Sequence, residues 1–222
     1  NLNNIKKTSP MYFMPYAGFF KEKALRDEYI ARNNKKNSPE DYERFCIDNN
    51  CELINVLESD ELKFFGSNLK KGLYLGEKFP EADPEDYIRK KRYLNYDLTK
   101  IKNYFEKSEY EDDLILEVKL TSDDFKDTSH SFTVDFSRSN SFPQFSECIL
   151  GERPPALRTL ELRVREQEFL DVIYNSKPWE DLSIGFQARV SRSPNIYNSK
   201  FWNYFTNYYI ADQTDQKIMS SD

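Results

Sequence analysis

Leu114, Leu116, Val118 and Leu120 alternate with Ile115, Glu117, Lys119 and Thr121, the period of two that puts every second side chain on one face of a strand. The spacing recurs at Leu160, Leu162 and Val164, and Ser131 to Phe136 and Gln144 to Leu150 read as two more strands separated by a polar loop. At Phe169, Leu170, Val172 and Ile173 the pattern switches to helical spacing. Pro178 and Trp179 start a further helical turn ending near Gly185, and Phe186 to Val190 reads as a last strand. An aromatic helix with Tyr197, Phe201, Trp202, Tyr204 and Phe205 closes the series, and Asp97 to Lys107 reads as a helix ahead of it. The order predicts an α+β domain over 97–210: a five-stranded antiparallel sheet with helices on one face, followed by a polar tail at 211–222.

The first half is organised differently. Met11 to Phe20 is apolar and aromatic but broken by Pro15 and Gly18, which suits a buried strand passing into a turn better than a helix. With no strong strand close to it in sequence, its sheet partners are expected in a part of the protein preceding Asn1. Ser38, Pro39, Glu40 and Asp41 are a helix start, with a capping serine, a proline tolerated in the first turn and acids favoured by the helix dipole; this helix runs to about Asn49. A short strand, Glu52 to Leu57, completes a first region, 1–57. The connector at 58–96 is rich in turns, with Gly66, Gly72, Gly76 and Pro80, and carries a helix opened by Asp83, Pro84, Glu85 and Asp86.

Composition narrows the chemistry. The 222 residues hold one histidine, His130, and three cysteines, Cys46, Cys51 and Cys148, too few for a zinc or iron centre of the usual histidine and thiolate type. Three cysteines make no even disulfide framework, which favours reduced thiols and a cytoplasmic setting. No stretch of apolar residues is long enough to span a bilayer, and no signal-peptide pattern opens the chain. The net charge of −6 lacks the concentrated basic face that nucleic acid requires.

Three constellations carry candidate chemistry. Asp113, Glu117 and Lys119 share one strand face and match the sparse pattern of magnesium-dependent nucleases, although charged faces of this kind arise readily where 32% of residues are charged. Cys46 and Cys51 lack the two-residue gap of thiol oxidoreductases, and His130 sits in a loop with nothing to orient it as a base. The rings of Phe201, Trp202, Tyr204, Phe205, Tyr208 and Tyr209 either line an apolar cavity or fill a core.

Two resemblances go further. The order of elements over the second half resembles the sterol carrier protein fold, whose members hold hydrophobic ligands in an apolar tunnel. More specifically, Trp179-Glu180-Asp181-Leu182-Ser183-Ile184-Gly185-Phe186-Gln187-Ala188-Arg189, then Arg192-Ser193-Pro194-Asn195-Ile196-Tyr197 and Phe201-Trp202-Asn203-Tyr204-Phe205, resemble the C-terminal signature of the CMP-N-acetylneuraminate hydroxylase family. Pro15-Tyr16-Ala17-Gly18-Phe19-Phe20, Asp27-Glu28-Tyr29-Ile30 and Asn34-Lys35-Lys36-Asn37 are similar to the same family in the same order.

That resemblance implies a parent monooxygenase in which a Rieske iron-sulfur domain joins a metallo-β-lactamase-like domain with a catalytic metal. It further implies a small cytochrome as electron donor and a CMP-sialic acid as the sugar-nucleotide substrate. Residues 1–57 would be the end of the lactamase-like domain. A Rieske cluster needs two cysteines and two histidines, a set this chain lacks, so the expectation is a non-catalytic C-terminal region with no catalytic residue and no cofactor of its own. Its partner would be the N-terminal catalytic part. Tyr16, Gly18, Asn34 and Lys36 are the candidate substrate-facing residues, and Pro15, Trp179, Gly185, Arg189, Arg192, Pro194, Tyr197 and Trp202 are read as structural. A free-standing sterol-carrier-like binding module and a nuclease are the alternatives.

Overall fold

A computed structural model describes residues 6–15, 22–34, 37–55, 61–72, 82–137, 143–147 and 158–210. The chain divides into two compact units, Asn1–Glu85 and Asp86–Asp222.

In the first unit, β1 (Tyr12–Phe13) pairs in parallel with β2 (Glu52–Leu53). Glu52 N–H donates to the Met11 carbonyl at 2.8 Å and Ile54 N–H to Phe13 at 2.9 Å. The Met11 strand therefore finds a partner within this chain, some forty residues downstream, and the expectation that its neighbours lie elsewhere is corrected. Helix α1 (Glu28–Asn33) lies between them in sequence, and a 3-10 turn at Pro39–Tyr42 leads into α2 (Glu43–Asp48). Ser38 N–H donates to the Asp41 carboxylate at 2.6 Å, so a capping box forms at the helix start where a capping serine was expected. Helix α2 ends where Asn50 turns left-handed, at φ 51°. Cys51 N–H then reaches the Cys46 carbonyl at 2.9 Å and Asn50 N–H the Ile47 carbonyl at 3.2 Å, a Schellman closure that stacks two buried cysteines. The turn-rich connector contains an unforeseen hairpin, β3 (Glu61–Phe65) with β4 (Asn68–Gly72), reversed at Gly66 with φ 61°.

Helix α3 (Pro84–Lys91), which runs across the division into the second unit, is capped by Asp83, whose carboxylate accepts the Glu85 N–H at 2.9 Å. Helix α4 (Leu98–Lys107) is capped in the same way by Asp97. Then come β5 (Leu114–Thr121), β6 (Thr128–Asp135), β7 (Gln144–Ser146), β8 (Arg158–Arg165), α5 (Glu166–Tyr174), α6 (Glu180–Ile184), β9 (Ala188–Ser193) and α7 (Ser199–Asn203), which runs on into a π turn at Tyr204–Tyr208. Strand order is β7-β6-β5-β8-β9.

The sheet is mixed, which corrects the antiparallel expectation: β8 lies beside β5 in the same direction, with Leu114 opposite Arg158 and Thr121 opposite Arg165. Alternation in sequence is the same for both directions, so the pattern identified the strands and not their sense. The class remains α+β.

Leu114, Leu116, Val118 and Leu120 meet Phe132, Val134, Leu160, Leu162 and Val164 on one sheet face, and the helices cover it. Trp179 is fully buried among the rings of Phe105, Phe169, Phe201 and Phe205, at centroid distances of 5.2 to 6.0 Å. Each such contact contributes about 0.5–1.5 kcal/mol beyond the area it buries. The indole N–H donates to the Tyr104 hydroxyl at 2.9 Å, so the one polar atom of the ring is satisfied. Burial raises the Tyr104 phenol well above its ordinary range.

Candidate functional site

The C-terminal signature residues are dispersed through this unit. Trp179 and Trp202 are buried in the ring cluster. Gly185 closes α6 where a Cβ would lie 2.9 Å from the Asp181 carbonyl, so the need for glycine there is close approach. Arg189 is exposed, its guanidinium 4.5 Å over the Phe125 ring; the Arg192 guanidinium lies 5.6 Å over the ring of Tyr197, itself 61% exposed. Pro194 follows a cis peptide bond. Near the start, Pro15 is half-buried and Asn34 is exposed at the end of α1, whereas Tyr16, Gly18 and Lys36 lie outside the described residues.

The nuclease constellation does not converge. Glu117 and Lys119 share the sheet face away from the helices, but Glu117 is buried and Lys119 pairs with Glu161 across to β8 at 2.7 Å. Asp113 precedes the strand and is exposed; its carbonyl accepts the Arg158 N–H. The C-terminal aromatic residues Phe201, Trp202, Phe205 and Tyr209 are core, while Tyr208 is 70% exposed.

Sequence reasoning missed a buried ionic cluster against α5. The Lys91 ammonium, at the end of α3, bonds Glu168 and lies 2.9 Å from Asp171, with all three side chains 7% exposed. Asp171 also accepts from Lys177 at 2.8 Å and Asn175 at 2.7 Å, and the Tyr87 ring lies 3.8 Å from the Lys91 nitrogen. Burial alone would lower the Lys91 pKa, but hydrogen bonds to Glu168, Tyr87 and Asp171 outweigh it and hold it above its ordinary value. For Asp171, burial works upward and is outweighed by Lys177, Lys91 and Asn175, so its carboxyl stays below the usual range. The only sequence cue was the charge at Glu168, Asp171 and Lys177, around the apolar run of Phe169, Leu170, Val172 and Ile173.

Beside the cluster runs a groove between α4 and α5. One part, about 640 Å³, is lined by Tyr93, Leu94, Tyr96, Asp97, Lys100 and Tyr174; a second, about 360 Å³, continues past Lys100 to Asn103, Lys107 and Ser176. Tyr174 organises it. Its hydroxyl accepts from the Asp97 N–H and donates to the Asn95 carbonyl, both at 2.9 Å, fixing the loop before α4 to the end of α5. His130, expected in a loop, lies in β6, where Tyr96 stacks on it with ring centroids 3.7 Å apart; the Tyr96 phenol is pushed up by burial and by the charges of Glu147 and Glu166. Tyr93 stands 80% exposed at the mouth. Both volumes fall in the range of small-molecule sites, and phenols with lysines give walls for a ring and donors for an anion.

No family model matches the chain. Curated relatives do. Over 90% of its length it is 29% identical to the cytidine monophosphate-N-acetylneuraminic acid hydroxylases of Danio rerio, Macaca mulatta and Sus scrofa, covering 36%, 36% and 49% of those proteins. The matched region is a C-terminal part of them. The chain is a relative of these hydroxylases. It spans about a third to a half of the length of the curated hydroxylases it matches.

Relatives so named invite a test of whether these residues could hold a redox metal. Among the described residues no three histidine, cysteine or acidic side chains converge as a ligand set. Cys46 and Cys51 are buried, and burial together with the neighbouring Cys51 raises the Cys46 thiol, the opposite of what a thiolate ligand needs. With a single histidine in the whole sequence, the donor set does not fit a two-cysteine, two-histidine cluster. Among the described residues no helix is long and apolar enough to cross a membrane.

Proposed function

We propose that this chain forms the C-terminal, non-catalytic region of a hydroxylase acting on a cytidine monophosphate sugar, and that its role is to complete the fold and support the catalytic part. The observation that carries the reading is similarity over nine-tenths of this chain to hydroxylases two to three times as long, joined to a donor set too poor for oxygen-activating metal. In this reading the iron-sulfur cluster, the catalytic metal and the docking of a small cytochrome belong to the remainder of the parent. Residues 1–57 complete a lactamase-like domain, and Tyr16, Gly18, Asn34 and Lys36 face the substrate.

Other readings have less support. A sterol-carrier-type module needs an open apolar tunnel, and the space between sheet and helices is occupied by Trp179 and its surrounding rings. A nuclease needs Asp113, Glu117 and Lys119 around one phosphate, and Lys119 is committed to Glu161.

The test is deletion, from the Danio rerio hydroxylase, of the region this chain matches. Iron content of the remainder is expected to persist while hydroxylation falls away. Loss of iron with the deleted region, or turnover undiminished by it, would refute the assignment.

A further inference from the structure

The groove between α4 and α5 has features that stability of the fold does not explain. Lys100 lies in the first turn of α4, where the helix dipole disfavours a cation. Among the described residues it has no carboxylate partner; its ammonium rests 5.1 Å above the Tyr174 ring. Lys107, seven residues on and so about 10 Å along the same helix, likewise has none. Most other described lysines of this unit are engaged: Lys91, Lys102, Lys119, Lys126 and Lys177 have acidic partners and Lys200 donates to the Glu111 carbonyl, while Lys90, outside the groove, is the other without an acidic partner among the described residues. Lys100 and Lys107 thus border one groove, Lys100 along both of its parts and Lys107 along the smaller. Between and beside them stand the Asn103 amide and the rings of Tyr93, Tyr96 and Tyr174, with Tyr93 having most of its surface free.

We propose that this groove is a binding site for an anion carried on a ring, a phosphate or carboxylate attached to a nucleoside or a sugar. Lys100 and Lys107 meet the charge, Asn103 offers an amide to hydroxyls, and Tyr93 covers a face of the ring. Ammonium groups bind such anions as point charges, and an aromatic face is tolerant of which ring it meets. The larger part of the groove, about 640 Å³, has room for a ring beside Tyr93 and Lys100, with Asp97 also in its wall, and the smaller part, lined by Asn103 and Lys107, continues from it. The inference rests on the reading of the chain as part of a sugar-nucleotide enzyme only for its choice of probes, because the relatives' names contain both a nucleoside phosphate and an acidic sugar. The site would hold part of such a ligand without performing chemistry on it.

Calorimetric titration of this chain tests the proposal directly, with cytidine monophosphate, N-acetylneuraminic acid, cytidine and inorganic phosphate as separate probes. The nucleotide, the acidic sugar or both are expected to bind in a salt-sensitive manner, more tightly than cytidine and more tightly than phosphate; which of the two binds identifies the source of the anion. Lys100→Ala and Tyr93→Ala are each expected to weaken that binding roughly tenfold, the equivalent of losing one charged hydrogen bond or one stacking face, with unchanged circular dichroism. Lys126→Ala, on the β5–β6 turn, should bind as the parent does. Absence of binding by both ring-bearing anions overturns the proposal, as does phosphate binding equally well, or indifference to Lys100→Ala and Tyr93→Ala together. Because the deletion experiment reads iron and turnover in another polypeptide, failure here leaves that result standing, and failure there does not remove a site measured on this chain.

Discussion

Replacing Lys91 by Met should destabilise the second unit by about 3 kcal/mol. The substitution keeps most of the side-chain volume, so little of the loss is cavity. What it removes is the cation shared by Glu168 and Asp171, each 7% exposed. Breaking a buried pair from one side costs about 3–5 kcal/mol, because the remaining charge stays desolvated. The lower end is expected since Asp171 keeps Lys177 and Asn175. Urea unfolding followed by far-ultraviolet circular dichroism measures the difference.

The pH dependence supplies a second signature of the same pair. The Asp171 carboxyl is held below its ordinary value in the folded protein, so its contribution is complete above about pH 4 and is lost as pH falls through the folded value. Lys91 is held above its ordinary value, so its share is present below about pH 10 and lost as pH rises through the folded value. The gap between parent and Lys91→Met should therefore be widest between those limits and narrow in acid. Met at this position within about 1 kcal/mol of the parent near neutral pH, or a gap that stays constant into acid, would show that the cluster does not clamp α3 to α5 in the way described.

Trp179→Ala should cost about 3–5 kcal/mol, since it empties the middle of the ring cluster and leaves the Tyr104 hydroxyl without its indole donor; thermal unfolding by calorimetry reads this. Gly185→Ala should cost about 1–2 kcal/mol in the same measurement, because its new methyl meets the Asp181 carbonyl. Asn50→Gly should stabilise the first unit slightly, by about 0.5 kcal/mol in urea unfolding, as glycine adopts the left-handed closure of α2 without a Cβ penalty. Lys119→Ala should change stability by less than about 1 kcal/mol, its partner Glu161 being partly solvated; magnesium-dependent DNA cleavage by the parent chain that this variant abolished would revive the nuclease reading.

The second unit was legible in the sequence because apolar and polar residues largely alternate along its strands, so Leu114 to Leu120 and Leu160 to Val164 announce themselves, although β5 proves buried on both faces, with Ile115, Glu117 and Thr121 all covered. The direction of the strands was not, since β5 and β8 alternate identically whether parallel or antiparallel. The helix starts near Asp83 and Asp97 could be read because start signals are local, while the capping role of both carboxylates emerged from their hydrogen bonds to the Glu85 and Lys100 N–H groups. The Gly66 hairpin was missed: Leu62, Phe64 and Leu69 are sparse among lysines, and its tip leaves Phe64 and Phe65 more than half exposed, so no clear buried stripe marks it. The β1–β2 pair was hidden by its two-residue length and its sequence separation. The Lys91 cluster and the groove join residues seventy-seven positions apart, Lys91 with Glu168 and Asp97 with Tyr174, and no local pattern encodes such meetings. The family signature was visible as a string of residues, but the reason for Gly185 emerged only from its distance to the Asp181 carbonyl.

The most direct test of the central claim is to purify this chain, measure its bound iron, and assay it for hydroxylation of cytidine monophosphate-N-acetylneuraminic acid with an electron donor supplied. The account predicts iron far below one per chain and no product. Stoichiometric iron together with hydroxylated sugar nucleotide would contradict it.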